Sequence, residues 1–175
     1  MILLLGGARS GKSATAVRLA ADAGVPVTFI ATALAGDDEM ADRIRRHRES
    51  RPVAWKTVEA PLDLLGAIRS AADGDFLVID CLTLWVSNLL GLGAHPSDID
   101  AAADVIVQEL QGRRGVVVTN EVGLGIVPVN ELARSFRDVL GSVNARFAAS
   151  ADRALLMVAG RAIDLAAVES VTGPG

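Results

Sequence analysis

The chain has one cysteine, Cys81, among its 175 residues. No internal disulfide can form, and nothing calls for an oxidising compartment. Net positive charge is also missing: 17 Lys and Arg face 21 Asp and Glu, a formal charge of −4. There is therefore no overall attraction to nucleic acid, and any polyanion must be met by a local basic cluster. The longest apolar stretch, residues 82–93, is interrupted by Thr83, Ser87 and Asn88 and is too short to span a bilayer. Only the four apolar residues Ile2 to Leu5 stand directly before Gly6, with no cationic segment before them, so no signal peptide is expected. Linkers, repeats and low-complexity tracts are absent as well. The expectation is a cytoplasmic protein with no membrane span, folded as a single domain over residues 1–175. Its composition, 51% hydrophobic and 22% charged, suits a globular fold with a substantial core.

What the chain does have begins at once. Directly after Ile2-Leu3-Leu4-Leu5 comes Gly6-Gly7-Ala8-Arg9-Ser10-Gly11-Lys12-Ser13, the pattern of a phosphate-binding loop. Its glycines let backbone N–H groups converge on phosphate oxygens, Lys12 reaches the outer phosphates, and the Ser13 hydroxyl can ligand Mg²⁺. The pattern needs a strand before it and a helix after it. The apolar run supplies the first, and Ala14 to Ala23, closed by Gly24, supplies the second, adding the positive end of a helix dipole.

Five β-rich runs alternate with helical patterns: Ile2–Leu5, Val27–Thr32, Phe76–Asp80, Val116–Thr119 and Ala154–Val158. Runs this continuously apolar suit strands buried on both faces of a parallel sheet. Helices are expected over Pro61 to Ala72, after a capping box at Ser97 and Asp100, and from about Asn130 to Ala149. The fold class is thus α/β, a mostly parallel sheet with helices on both faces and ligands at the carboxyl ends of the strands. The apolar excess, with segments such as Leu84-Trp85-Val86 and Leu89-Leu90, exceeds what one small domain readily hides and predicts an apolar interface.

Asp80 ends its strand where the second acidic element of a phosphate-loop NTPase belongs, holding Mg²⁺ directly or through water. An acid that merely closes a strand would look the same. Asn120 and Glu121 end another strand in the same manner and enter a glycine-bearing loop, where a direct substrate role for Glu121 and an ordinary loop position are equally compatible with the pattern. Residues 37–52 form a second unusual segment, opening on acids and stopped by Pro52. Met40, Ile44 and His47 share one helical face there, while Arg43, Arg45, Arg46, Arg48 and Arg51 concentrate positive charge. A solvated basic helix with an incidental histidine fits this segment taken alone. Arginine clusters also bind phosphate oxygens bidentately, and a triphosphate site lies in the same small chain. His95, before Pro96, has no supporting pattern and is assigned no role.

Taken together, several stretches resemble one family. They are the phosphate loop at the very start, Ile30-Ala31-Thr32, Asp37-Asp38-Glu39-Met40 followed by Arg43-Ile44-x-x-His47 and Arg51-Pro52, Trp55-x-Thr57-x-Glu59, and Thr119-Asn120-Glu121-Val122-Gly123-x-Gly125-Ile126-Val127-Pro128. The chain resembles the bifunctional adenosylcobinamide kinase/adenosylcobinamide-phosphate guanylyltransferases of cobalamin biosynthesis, from its first strand to its last. The resemblance implies phosphorylation of adenosylcobinamide by a nucleoside triphosphate such as ATP. It further implies GMP transfer from GTP to adenosylcobinamide phosphate through a guanylyl-histidine, giving adenosyl-GDP-cobinamide and pyrophosphate.

The matching histidine is His47, which the resemblance makes catalytic together with Lys12. Nucleotide contacts carried over are Gly6 through Ser13 (Gly6, Gly7, Ala8, Arg9, Ser10, Gly11, Lys12, Ser13), then Ala31, Thr32 and Ala33, then Arg48, Glu49, Ser50 and Arg51, with Glu59 and Asp80. Ser13 and Asp80 are the metal positions, for Mg²⁺. Arg46 stands where some members carry an additional histidine. The resemblance also implies a RecA-like phosphate-loop NTPase fold and a homotrimer. A neutral imidazole is a competent nucleophile towards an α-phosphorus when nearby cations neutralise the phosphate. Two rivals share the phosphate loop: a kinase for another small metabolite, and a nucleotide-switched interaction protein.

Overall fold

The computed structural model describes residues 1–36, 38–49 and 51–165, apart from the side chains of Glu39 and Arg43. Its centre is a seven-stranded sheet. In chain order the strands are β1 (Ile2–Gly6), β2 (Val27–Ala31), β3 (Lys56–Glu59), β4 (Phe76–Asp80), β5 (Gly115–Val118), β6 (Arg153–Val158) and β7 (Arg161–Asp164). In space they run β3-β2-β4-β5-β1-β6-β7. Every neighbouring pair is parallel except β6 and β7. The structure is therefore α/β with a mostly parallel sheet, as the alternating pattern predicts.

Side chains alternate across each strand and divide the core in two. Leu3 and Leu5 of β1 and Ile30 of β2 join one buried cluster, while Leu4, Phe29 and Ala31 join the other. The first cluster lies under four helices: α3 (Leu64–Arg69), α4 (Leu82–Gly91), α5 (Pro96–Glu109) and α6 (Glu131–Ser150). The second is covered by α1 (Lys12–Ala21), whose Ala16 and Ala20 bring its backbone close to the strands. The α5 stripe Ile99, Ala103, Ile106 and Leu110 is buried as its spacing predicts. Asn130 caps α6, its side chain accepting from the Ala133 N–H at 3.1 Å. Asp63 does the same for α3, accepting from the Gly66 N–H at 2.8 Å.

Several expectations are corrected. The run containing Leu84-Trp85-Val86 is a core helix, α4, and not an exposed patch: Trp85 is 1% and Val86 0% exposed, and the indole N–H donates to the Leu62 carbonyl at 3.0 Å. Helical spacing puts Leu82, Trp85 and Val86 on one inward face. The start of α5 is set by His95, which has a structural role after all, its Nδ1 accepting from the Ser97 N–H at 3.3 Å. Two strands have no counterpart among the apolar runs. The edge strand β3, Lys-Thr-Val-Glu, is half-exposed and therefore polar at both ends. The other, β7, follows β6 through a two-residue turn, Ala159 and Gly160, with φ of 50° and 75°.

The burial of Trp85 carries a testable cost. Trp85→Ala should destabilise the protein by about 3–5 kcal/mol in urea unfolding, through lost transfer energy and a residual cavity. A loss below about 1 kcal/mol would contradict this packing.

Candidate functional site

The carboxyl ends of β1, β2 and β4 open onto one cavity of ≈ 450 Å³, within the usual range for small-ligand sites. The phosphate loop forms part of its wall through Ala8, Arg9, Ser10, Gly11, Lys12 and Ser13. Two glycines here are demanded by the backbone. A Cβ on Gly6 would lie 2.3 Å from the Met157 carbonyl oxygen of β6, and Gly11, with φ of 95°, holds the left-handed position immediately before α1. Gly6 and Gly7 do not line the cavity and offer their carbonyls to Lys12, whose Nζ donates to both at 2.7 Å. The ammonium also reaches Ser10 Oγ at 3.3 Å. Burial pushes the Lys12 ammonium down from its usual range, and Cys81 and Asp80 counter this. The loop is braced from outside as well, by the Gly160 N–H on the Ser10 carbonyl at 3.0 Å and the Glu121 N–H on the Gly6 carbonyl at 3.2 Å.

Across from β1, the strand ends of β2, β3 and β4 bring Ala31, Ala33, Glu59 and Asp80 to the same cavity. Thr32 lies behind them, fully buried, and ties two loops together: its hydroxyl donates to the Cys81 carbonyl at 2.7 Å and accepts from the Cys81 N–H at 2.8 Å. The Asn88 carboxamide donates to the Thr32 carbonyl at 2.8 Å and the Pro61 carbonyl at 3.0 Å, locking α4 to both.

The remaining wall is α2 (Asp38–Glu49). Met40, Ile44 and His47, one face by spacing, all line the cavity, so the helix presents its histidine to the space bounded by the phosphate loop. None of the α2 side chains described is buried. Arg48 also lines the cavity and pairs with Glu59 at 3.8 Å, an exposed contact of about 0–1 kcal/mol. Arg51 sits over the Phe29 ring, 3.6 Å from its centroid. Burial pushes its guanidinium below its usual range, opposed by Asp80 and Glu59. Glu49 faces outward and pairs with Arg45 at 3.5 Å. Ser50, Asp37 and the Arg43 side chain lie outside the described residues.

Ser13 and Asp80 share the cavity, and a hydroxyl with a carboxylate is the oxygen set that suits Mg²⁺, which keeps waters and binds jointly with substrate phosphates. Glu121 is not part of the wall; its carboxylate accepts from the Gly123 N–H at 2.5 Å. Asn120 is part of it, as are Cys81 and Thr83. The latter two could have been suspected from their position after Asp80, but the placement of Asn120 follows from strand order, which no local pattern carries.

Comparison with known proteins gives a consistent result. A family model described as cobinamide kinase / cobinamide phosphate guanyltransferase matches residues 2–165. The bifunctional adenosylcobalamin biosynthesis protein CobP of Pseudomonas aeruginosa is 48% identical over 162 residues, covering 90% of this chain and 92% of that protein. The CobU proteins of Salmonella typhimurium and Escherichia coli are 47% and 42% identical, each covering 91% of this chain and 96% of the relative. Among solved structures, a Pyrococcus horikoshii protein superposes with a TM-score of 0.52 at 7% identity, covering 98% of this chain and 87% of that one. An ATPase from a bacterial type III secretion system gives 0.52 at 13% identity, covering 98% and 58%. These two likenesses concern the fold alone, which is shared with an ATPase.

Cys81 offers a check on the polarity of this cavity. Burial first, and the Asp80 charge second, push its thiol from 9.0 up to about 11. The reactive thiolate at neutral pH is then about 10²-fold scarcer than in an ordinary thiol. Iodoacetamide should alkylate the native protein about that much more slowly than the urea-unfolded chain, the gap closing as pH rises towards 11. Equal rates at neutral pH would contradict the assignment.

Proposed function

Since the chain belongs to the cobinamide kinase / cobinamide phosphate guanyltransferase family, we propose that this one cavity serves two reactions in sequence. The protein is a bifunctional enzyme of adenosylcobalamin biosynthesis. As a kinase it phosphorylates the hydroxyl of adenosylcobinamide, with ATP as donor. As a guanylyltransferase it moves GMP from GTP to adenosylcobinamide phosphate, releasing pyrophosphate and forming adenosyl-GDP-cobinamide. The observation that carries the reading is that His47 and the phosphate loop line the same cavity.

In the second reaction the ring nitrogen of His47 that bears no hydrogen gives its lone pair to the α-phosphorus of GTP. A P–N bond forms as the Pα–O bond to the β-phosphate breaks, and the electron pair departs with pyrophosphate. An oxygen of adenosylcobinamide phosphate then displaces the histidine, and the nitrogen recovers its lone pair. Arg48 and Arg51 on the cavity wall supply the positive charge that lets a nucleophile approach an anionic phosphorus. Lys12 stabilises the outer phosphates in both reactions by exchanging its carbonyl acceptors for phosphate oxygens, which make stronger charge-assisted bonds. Mg²⁺ bound with the nucleotide would be held by Ser13 and Asp80 and would supply further charge neutralisation across the phosphates. Ala8, Arg9, Ser10 and Gly11 of the loop, with Ala31, Ala33 and Glu59, complete the proposed nucleotide site; Gly6, Gly7 and Thr32 shape it without lining it, Glu49 faces away from it, and Ser50 lies outside the described residues. In the kinase reaction the same cradle works by positioning.

The enzyme is proposed to act in the cytoplasm, where its nucleotide substrates are made, as one domain over residues 1–175 assembled into a homotrimer. Support for assembly comes from the segment between β5 and α6, where Leu124, Ile126 and Val129 are 86%, 97% and 97% exposed. Light scattering at micromolar concentration should report three copies, and Ile126→Asp with Val129→Asp should shift the mass downward. A monodisperse monomer of the unaltered protein would refute the trimer.

Mass spectrometry of protein incubated with GTP and Mg²⁺ should show a GMP adduct on His47, labile in acid and stable in base, as a phosphoramidate is. His47→Ala should abolish the adduct and guanylyl transfer while the kinase survives. Lys12→Ala should reduce both activities by about 10²-fold or more. An acid-stable adduct on a serine, or labelling that persists in His47→Ala, overturns the covalent mechanism.

A further inference from the structure

β5 lies between β1, which ends in the phosphate loop, and β4, which ends at Asp80. Val118 is in register with Leu4 on one side and Asp80 on the other, so the residues after β5 emerge between the triphosphate cradle and the metal carboxylate. Their backbone is pinned on both sides. Thr119, fully buried, donates from its hydroxyl to Asn144 Oδ1 at 2.7 Å. The Asn144 amide of α6 donates to the Asn120 carbonyl at 3.0 Å. The Asn120 N–H donates to the Thr83 hydroxyl of α4 at 2.7 Å. Asn120 lines the cavity, and with both backbone groups engaged its side chain, which makes no hydrogen bond to any described residue, is left to serve it. Glu121, the acid beside it, folds onto the Gly123 N–H instead. This strand end therefore delivers to the cavity a neutral hydrogen-bond donor rather than a carboxylate, the choice that suits a polyanion.

We propose that Asn120 is a catalytic residue of the kinase step, its Nδ2–H donating to an oxygen of the γ-phosphoryl group. The inference rests on the triphosphate site described above. In that step the bond from the acceptor oxygen to Pγ forms as the Pγ–O bond to the β-phosphate breaks. The electron pair leaves on the nucleoside diphosphate, and the acceptor's proton passes to water. Charge is redistributed over the γ-oxygens as they move, so a fixed donor there acts on the transition state. In guanylyl transfer the reacting atom is Pα, and the γ-phosphate remains part of the leaving pyrophosphate. The contact is then nearly the same before and during reaction and contributes little to kcat. Thr83 and Asn144 are positioning residues, acting through the Asn120 backbone.

The test compares Asn120→Ala and the isosteric Asn120→Asp with the unaltered enzyme. Kinase kcat is measured with adenosylcobinamide and saturating ATP, and the rate of protein labelling with α-labelled GTP. Kinase kcat should fall about 10²-fold in Asn120→Ala and further in Asn120→Asp, where a charge replaces the donor. In Asn120→Ala, labelling at saturating GTP should fall by no more than about fivefold, which also reports a folded site, whereas in Asn120→Asp the new charge opposes GTP as well. In Asn120→Ala, kinase kcat within about threefold of the unaltered enzyme, or labelling that falls in step with it, overturns the assignment. An unaltered protein inactive in both assays instead overturns the reading beneath it, and this inference with it.

Discussion

A loop whose N–H groups are to face an anion must find other donors for its carbonyls, and here that requirement organises everything around it. Three elements meet it. Lys12 of α1 takes the Gly6 and Gly7 carbonyls, the β6–β7 turn offers the Gly160 N–H to Ser10, and the segment after β5 offers the Glu121 N–H to Gly6. The β6 backbone stands so near that only glycine fits at position 6. The phosphate loop is thus a junction at which a helix, a hairpin and a neighbouring strand end meet. Two of its contacts come from backbone N–H groups that do not line the cavity, while the Lys12 ammonium stands on the cavity side.

The opposite wall is built on another principle. The helix α2 buries none of its described side chains and offers Met40, Ile44 and His47 as a half-buried face, with arginines beside them. The arginines and the proposed nucleophile are held at the rim of the sheet, whereas the phosphate loop grows out of one of its inner strands. On the mechanism proposed here, phosphoryl transfer to an incoming hydroxyl draws on the cradle and the strand end beside it. Nucleotidyl transfer draws on both walls, which would let one small cavity serve two chemistries at different phosphorus atoms of the same kind of substrate.

Much of this was legible in the chain. Strands covered on both faces must be apolar throughout, so β1, β2, β4, β5 and β6 stood out as continuous runs. The helical period placed His47 with Met40 and Ile44, and the phosphate loop carries its own spacing. The edge strands β3 and β7 did not stand out, because an edge has no need of continuous apolarity. The apolar run of α4 reads as an interface in the sequence, because a helix apolar around most of its circumference lacks the contrast that marks an inward face. His95 caps α5 with a ring nitrogen where serine or aspartate is the usual signal. In the sequence Asn120 is only the end of a strand. Its proposed role depends on β5 lying between β1 and β4, a consequence of long crossovers that no window of sequence contains.

The strands β3 and β7 bound the sheet on its two sides. Each is four residues long and carries charge at both ends, Lys56 and Glu59 on β3, Arg161 and Asp164 on β7, with Arg153 paired to Asp164 across the hairpin. Short, charged margins make poor templates for another strand, because a chain pairing there would have to bury or clash with those charges. The central strands, which are among the most aggregation-prone segments of the chain by composition, are shielded by margins that cannot propagate. Copies of this protein are consequently discouraged from joining by sheet extension and are left to meet through helices and loops, where association can close on itself instead of growing into a fibre.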